Sequence, residues 1–96
     1  MKQKVITTTQ WFDRQIKKLS KKWLYTEEEF IKDIKLYVQN ENEKTRRKHK
    51  INLWWNKIIW SISLDDDLRT FYFHIHETST QVEYVFFKIG DHDDVY

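Results

Sequence analysis

The sequence predicts an α+β domain in which a helical hairpin packs on one face of an antiparallel sheet, in the order β-α-α-β-β-β. Three observations predict it. Apolar residues recur at helical spacing in two successive stretches of the first half. The second half switches to two-residue alternation. Short polar turns separate consecutive alternating runs, which is the pattern of a meander.

Lys4 to Thr9 (KVITTT) is rich in β-branched residues and reads as a short strand. Phe12, Ile16, Leu19 and Trp23 then follow at spacings of 4, 3 and 4, one face of a helix, with Thr9 as its cap. Thr26-Glu27-Glu28-Glu29 has the Thr-x-x-Glu form of a capping box, and its acidic residues suit the positive end of a helix. Phe30, Ile34, Tyr37 and Val38 continue at helical spacing, so helices are expected at 10–21 and 27–40. Asn40-Glu41-Asn42-Glu43 ends the second. Ile58, Trp60, Ile62 and Leu64 alternate with Ile59, Ser61 and Ser63. Leu68 to Ile75 makes a second strand of the meander. Val82 to Ile89, apolar on both faces, makes a third with a place inside the sheet. Ile51 to Trp55 could add a further short strand.

Ninety-six residues allow one domain, expected to span 1–96. Five Trp, 5 Tyr and 6 Phe can support a core without covalent staples, since each buried large apolar side chain contributes roughly 1.5–3 kcal/mol. The absence of cysteine excludes disulfides and Cys-based zinc sites. The cytoplasm is then the simplest location. No apolar run follows Met1, so no signal peptide is expected, and no membrane association either: the apolar stretches fall short of the roughly 20 residues of a membrane helix. Net charge is +2, but the halves differ. Residues 1–50 hold 14 Lys/Arg against 7 Asp/Glu, and residues 51–96 hold 3 against 8. A basic half invites a polyanion or an acidic partner, or is simply a solvated helical surface. The run Lys44 to Lys50 (KTRRKHK) concentrates the charge.

Three stretches carry a family resemblance. Trp11 to Leu19 (WFDRQIKKL) looks like the pattern F-x-K-x-I-K-K-L of a first helix. Trp60 to Tyr72 (WSISLDDDLRTFY) is similar to the hairpin pattern W-S-I-x-x-x-D-D-x-R-x-x-Y. Ile89 to Tyr96 (IGDHDDVY) looks like the ending I-G-x-H-x-x-x-Y/F. Together they resemble the RelE/ParE toxin superfamily over nearly the whole chain, the ending pointing to its YafQ-like branch of mRNA interferases. The resemblance implies a toxin held by a cognate antitoxin and, once freed, cutting mRNA on the ribosome without a metal or other cofactor.

A metal-independent ribonuclease uses the ribose 2′-hydroxyl as nucleophile. It needs a group titrating near neutrality, a fixed cation and a surface that orients the substrate. His92 is the residue for acid or base chemistry: an imidazole titrates near 6.5 and follows Gly90, the one glycine, just past a strand. By chemistry alone it reads first as a solvated His in an acidic tail; the resemblance reverses that order. The resemblance gives Asp67 a functional carboxylate's role, orienting His92 or taking the 2′ proton, whereas Asp in a turn is common for backbone reasons. Arg69 stands where the family keeps an Arg for phosphate, its alternative being a cross-strand ion pair with Glu83. The resemblance implies that Tyr96 stacks on a base or steadies proton transfer, whereas a terminal aromatic is otherwise disordered or packed on a neighbour. His49 occupies a place functional in the YafQ-like branch. Arg46, Arg47, Lys48 and Lys50 of the basic run, with Lys88, would take RNA phosphates. The sequence departs from the branch at Ser63, where a second His is expected. His74 and His76, two apart on a strand, do not make a metal site by spacing.

Two other functions stay open on the sequence. ParE-like members of the superfamily poison DNA gyrase, and an inactive relative would serve antitoxin binding or self-assembly into a homo-oligomer.

Overall fold

The chain runs β1 (Gln3–Thr8), α1 (Gln10–Lys22), α2 (Glu27–Gln39), β2 (His49–Trp54), β3 (Lys57–Ser63), β4 (Leu68–Ile75) and β5 (Gln81–Asp91). A computed structural model describes residues 2–22, 26–41, 47–54, 57–64 and 68–91, with 49, 52–54, 57 and 91 described by their backbone alone. The strands form one sheet in the order β1-β5-β4-β3-β2. The expected helical hairpin and antiparallel meander are both present. The further strand read at Ile51 to Trp55 is β2, paired antiparallel with β3 at the sheet edge. The first strand joins the far side of the sheet by a parallel pairing with β5, from Gln3 opposite Gln81 to Thr8 opposite Phe86. That geometry follows from connectivity, because the helical hairpin is long enough to return the chain to the opposite edge.

Both expected caps form. The Phe12 amide donates to Thr9 Oγ1 at 3.1 Å. The Glu29 amide donates to Thr26 Oγ1 at 3.2 Å, and the Thr26 hydroxyl in turn donates to the Glu29 carboxylate at 3.3 Å. Phe12, Ile16 and Leu19 of α1 and Phe30, Ile34, Tyr37 and Val38 of α2 are buried against one face of the sheet. That face presents Ile62, Leu68, Tyr72, Val82, Tyr84, Phe86 and Ile89. The other face carries a smaller cluster, Ile59 and Phe71 with Ile51, Phe73 and Phe87, to which no helix contributes.

The numbering of the core on β5 reveals a bulge. Val82, Tyr84 and Phe86 alternate, but the next core residue is Ile89. Tyr72 pairs with Phe86 while Phe71 pairs with Lys88, so Phe87 is the extra residue. The bulge reverses the alternation beyond it. Ile89 thereby enters the core, and Lys88 and Gly90 move to the helix-free face opposite Phe71 and Arg69. Val85 and Phe87 face the other side, so the stretch is apolar on both faces, as its place between β1 and β4 requires.

Beyond Phe86, β5 has outrun β1, and α1 takes over its edge. The Thr9 amide donates to the Phe86 carbonyl at 3.1 Å, and the Ile89 amide donates to Gln15 Oε1 at 3.0 Å. Gln15→Ala leaves that amide of a buried residue without its acceptor, an expected loss of about 1–3 kcal/mol. Faster hydrogen exchange at Ile89 than at Val85 in the variant is the measurement that checks it.

Candidate active site

Arg69 is the best-defined of the sequence-derived site residues. It lies on β4, only 7% exposed, on the helix-free face. Its Nε donates to Ser61 Oγ at 2.8 Å, its Nη1 to Ser63 Oγ at 2.7 Å and its Nη2 to the Arg47 carbonyl at 3.1 Å. The hairpin register explains the grip: Ser63 is directly opposite Arg69, Ser61 is opposite Phe71, and two-residue alternation puts both hydroxyls on Arg69's side. Arg69 faces Gly90 on its other flank. The alternative ion pair with Glu83 does not form, because register sets Glu83 opposite Ile75, at the far end of β4. The Glu83 carboxylate instead accepts from Thr7 at 2.7 Å and lies 3.3 Å from the His76 ring. Those two hydrogen bonds hold it below the usual carboxylate range.

Arg47 adopts a left-handed backbone, φ 50°. For a residue with a Cβ that conformation costs roughly 1–2 kcal/mol. The Arg69 bond to its carbonyl helps to offset that cost. The segment leading into β2 is held from the other side by Lys48. Its ammonium is 3.5 Å from the Glu41 carboxylate and 4.5 Å from the centre of the Trp60 ring. Glu41 also accepts from Tyr84 Oη at 2.6 Å and Lys4 Nζ at 3.3 Å. Burial alone would raise the Glu41 carboxyl, but these two hydrogen bonds and the charges of Lys48 and Lys4 hold it below its ordinary value.

The site residues are only partly gathered. Lys88 lies on Arg69's face, 5.8 Å from the centre of the Phe71 ring. His49 pairs by its backbone with Ser61, whose hydroxyl Arg69 grips. Lys50 is exposed and pairs with Trp60, a residue packed on the helix side. Lys48 is engaged with Glu41 and Trp60, away from Arg69's nitrogens. His92, Asp67, Tyr96 and Arg46 lie outside the described residues. What can be placed is the strand ends that precede or follow them. β5 passes Arg69 at Gly90 and ends at Asp91, opposite Leu68, with His92 next in the chain; β4 begins at Leu68, immediately after Asp67. Three participants were missed in the sequence: Ser61 and Ser63, legible from their alternation opposite Arg69, and Gln15, which carries no sequence signal.

The two other histidines do different work. His76 lies past the end of β4 with φ 51°. His74 is half-buried, its ring packed edge-on against Tyr84 at 4.5 Å. Among the described residues no group of three potential metal ligands forms. Burial pushes the His74 imidazole below its ordinary 6.5, against the pull of Glu41 and Glu77 and with the help of Lys48 and Lys2. The unfolded chain then takes up the proton more readily. The stability that depends on the neutral ring is therefore complete above about pH 6.5 and is lost as pH falls below it. Denaturant midpoints measured down from pH 7 are expected to fall from about pH 6.5, and His74→Gln to flatten that first part of the decline.

A groove of about 370 Å³ lies on the helix side, between α2 and the β3–β4 end, lined by Phe30, Asp33, Leu36, Leu64 and Leu68 among others. Among the described residues that line it, none is assigned to cleavage. No described helix is long and apolar enough to cross a membrane.

Neither a protein-family model nor a curated protein sequence matches the chain. Solved structures do. A copper-bound mutant toxin from Helicobacter pylori superposes with a TM-score of 0.69 at 12% identity, covering 96% of this chain and 98% of that one. The toxin chain matched in the E. coli DinJ–YafQ complex gives 0.64 at 16% identity, with 98% and 99% covered. YafQ from E. coli strain BL21(DE3) gives 0.63 at 15% identity over the same shares. The likeness expected from the three sequence stretches is thus borne out at the level of the fold: over 98% of its length, this chain has the fold of the YafQ-type toxins.

Proposed function

We propose that residues 1–96 form the toxin of a type II toxin–antitoxin pair, an endoribonuclease of the RelE/ParE superfamily that cuts mRNA on the ribosome and halts translation. The observation that carries this reading is the likeness of fold to YafQ across 98% of this chain and 99% of that one. The three sequence stretches that resemble the family add to it.

In this reading the ribose 2′-oxygen attacks the adjacent phosphorus. A P–O2′ bond forms, the P–O5′ bond breaks, and the products carry a 2′,3′-cyclic phosphate and a 5′-hydroxyl. One group takes the 2′ proton and another returns a proton to the leaving oxygen. His92, Asp67, Tyr96 and His49 share these transfers and the orientation of the base. Arg69 supplies positive charge behind the phosphate. Its bonds to Ser61, Ser63 and the Arg47 carbonyl support a second task, holding the basic segment in place. Arg46, Arg47, Lys48, Lys50 and Lys88 form the phosphate-binding surround, Lys48 with its charge already shared with Glu41.

A cognate antitoxin, an acidic and partly disordered chain, would cover the basic surface until released, in the cytoplasm. The experiment is induced expression of the chain, scoring message integrity and DNA supercoiling together. Fragmented messages with intact DNA are expected. Intact messages with accumulating DNA breaks would reject the ribonuclease in favour of a gyrase poison.

A further inference from the structure

We propose that the flank of α1 bordering β5 binds single-stranded RNA, through side chains other than those assigned to cleavage; the inference rests on the ribonuclease reading above. Trp11, Gln15, Lys18 and Lys22 follow at spacings of 4, 3 and 4, so they share one flank of α1. Gln15 identifies the flank, because its side chain accepts from the Ile89 amide. The row therefore lies along the edge of β5 that β1 does not cover, and His92 follows Ile89 by three residues. Arg14 and Lys21 form the next row outward.

Three properties of the flank favour RNA. The first is charge: α1 holds Arg14, Lys17, Lys18, Lys21 and Lys22, all exposed, against one acidic residue, Asp13. The Asp13 carboxylate accepts from the Thr8 hydroxyl at 2.8 Å, at the opposite end of the helix from Lys21 and Lys22. The second is the indole of Trp11, 59% exposed beside the cations. An exposed aromatic among cations can stack on an unpaired base while the cations take the phosphates, whatever the base sequence. The third is length. Trp11 to Lys22 covers about 16 Å at roughly 1.5 Å per residue, which matches about five nucleotides of a stacked strand at roughly 3.4 Å each. An acidic amphipathic partner helix would need several apolar anchors at helical spacing. The outward rows of α1 offer Trp11 alone.

The test is fluorescence polarisation of a 5′-labelled 2′-O-methyl RNA strand of about 20 nucleotides, which exceeds the usual single-strand footprint and has no 2′-hydroxyl to react. Trp11→Ala is expected to weaken binding roughly 5- to 150-fold. The double variant Arg14→Gln/Lys18→Gln is expected to lower the slope of log affinity against log salt by about 1.4, at roughly 0.7 per phosphate contact. Lys17→Gln, on the far side of α1 from Gln15, is expected to change that slope far less. All four replaced residues are exposed, so thermal unfolding should stay near wild type. If wild type binds the strand and these variants bind it equally well, the α1 surface is not an RNA contact, and the cleavage reading is untouched. If a base-paired hairpin binds as tightly as the strand and Trp11→Ala changes neither, the stacking role is wrong. Displacement of the strand by poly-glutamate at equal charge concentration would assign the flank to an acidic protein partner and overturn the proposal. Wild type that binds no RNA would overturn the inference, while cleavage on the ribosome is judged separately by message integrity.

Discussion

His92→Ala is expected to lower RNA cleavage by about 10²–10⁴-fold while leaving the folded protein as stable as before. The first half of that expectation is chemical. The reaction requires a group that gains and loses a proton near neutral pH, and an imidazole is the side chain whose ordinary pKa lies there. Of the 4 histidines, two are committed elsewhere: His74 packs against Tyr84, and His76 lies 3.3 Å from the Glu83 carboxylate. The second half is structural. The core closes at Ile89, 1% exposed, and the Ile89 amide is tied to Gln15. His92 follows that core residue by three positions in the chain, and an unchanged urea midpoint is the expected result. Cleavage rate and urea midpoint measured on one preparation separate the two halves. A variant that cuts at the wild-type rate removes His92 from the chemistry.

Arg69→Ala is expected to fail in a different way, losing stability and activity together. The guanidinium is 7% exposed and donates to Ser61, Ser63 and the Arg47 carbonyl. Hydrogen bonds from a charged donor contribute roughly 1.5–3 kcal/mol each and are not additive, so a loss of about 3 kcal/mol is expected. That is a large share of the roughly 5–15 kcal/mol total of a small domain. Arg69→Lys separates charge from shape. A lysine keeps the positive charge but cannot reach both serines and the carbonyl with one planar fork. If Arg69 served only as a point charge for the phosphate, Lys would restore cleavage. The bonds seen here predict that it does not, with activity falling by more than about tenfold and stability by roughly 1–2 kcal/mol. Ser61→Ala/Ser63→Ala should reproduce part of both losses with Arg69 intact.

These two residues show what could be read in the sequence and what could not. Periodicity placed both helices, because Phe12-Ile16-Leu19 and Phe30-Ile34-Tyr37-Val38 each mark a single buried face. It also placed the strand Leu68 to Ile75 residue for residue. The parallel seat of β1 was not legible, since a six-residue β-branched run has no feature that selects its partner. The bulge at Phe87 was hidden too. With Val85 and Phe87 making the run apolar on both faces, an extra residue leaves no mark on the sequence pattern, and only pairing shows it. For Arg69, the residue type and strand were right and the partners were not. Glu83 attracted attention by charge, but register decides contact, and it gives Arg69 two serines and a backbone carbonyl. Gln15 shows the same limit: an amide that satisfies a strand edge looks like any solvated glutamine until the strand it serves is known. His92, Asp67, Tyr96 and Arg46 entered through the family resemblance and the chemistry of the reaction, and lie outside the described residues.

The most direct measurement is the chemistry of the cut ends. Purified protein is incubated with RNA-programmed ribosomes in the presence of a chelator that spares structural magnesium, and the new termini are analysed. Attack by the neighbouring 2′-oxygen requires a 5′-hydroxyl on one fragment and a 2′,3′-cyclic phosphate on the other, with a single 2′-deoxynucleotide at the scissile position abolishing the cut. Fragments ending in 5′-phosphate, or cleavage that persists at the deoxy position, would contradict the account.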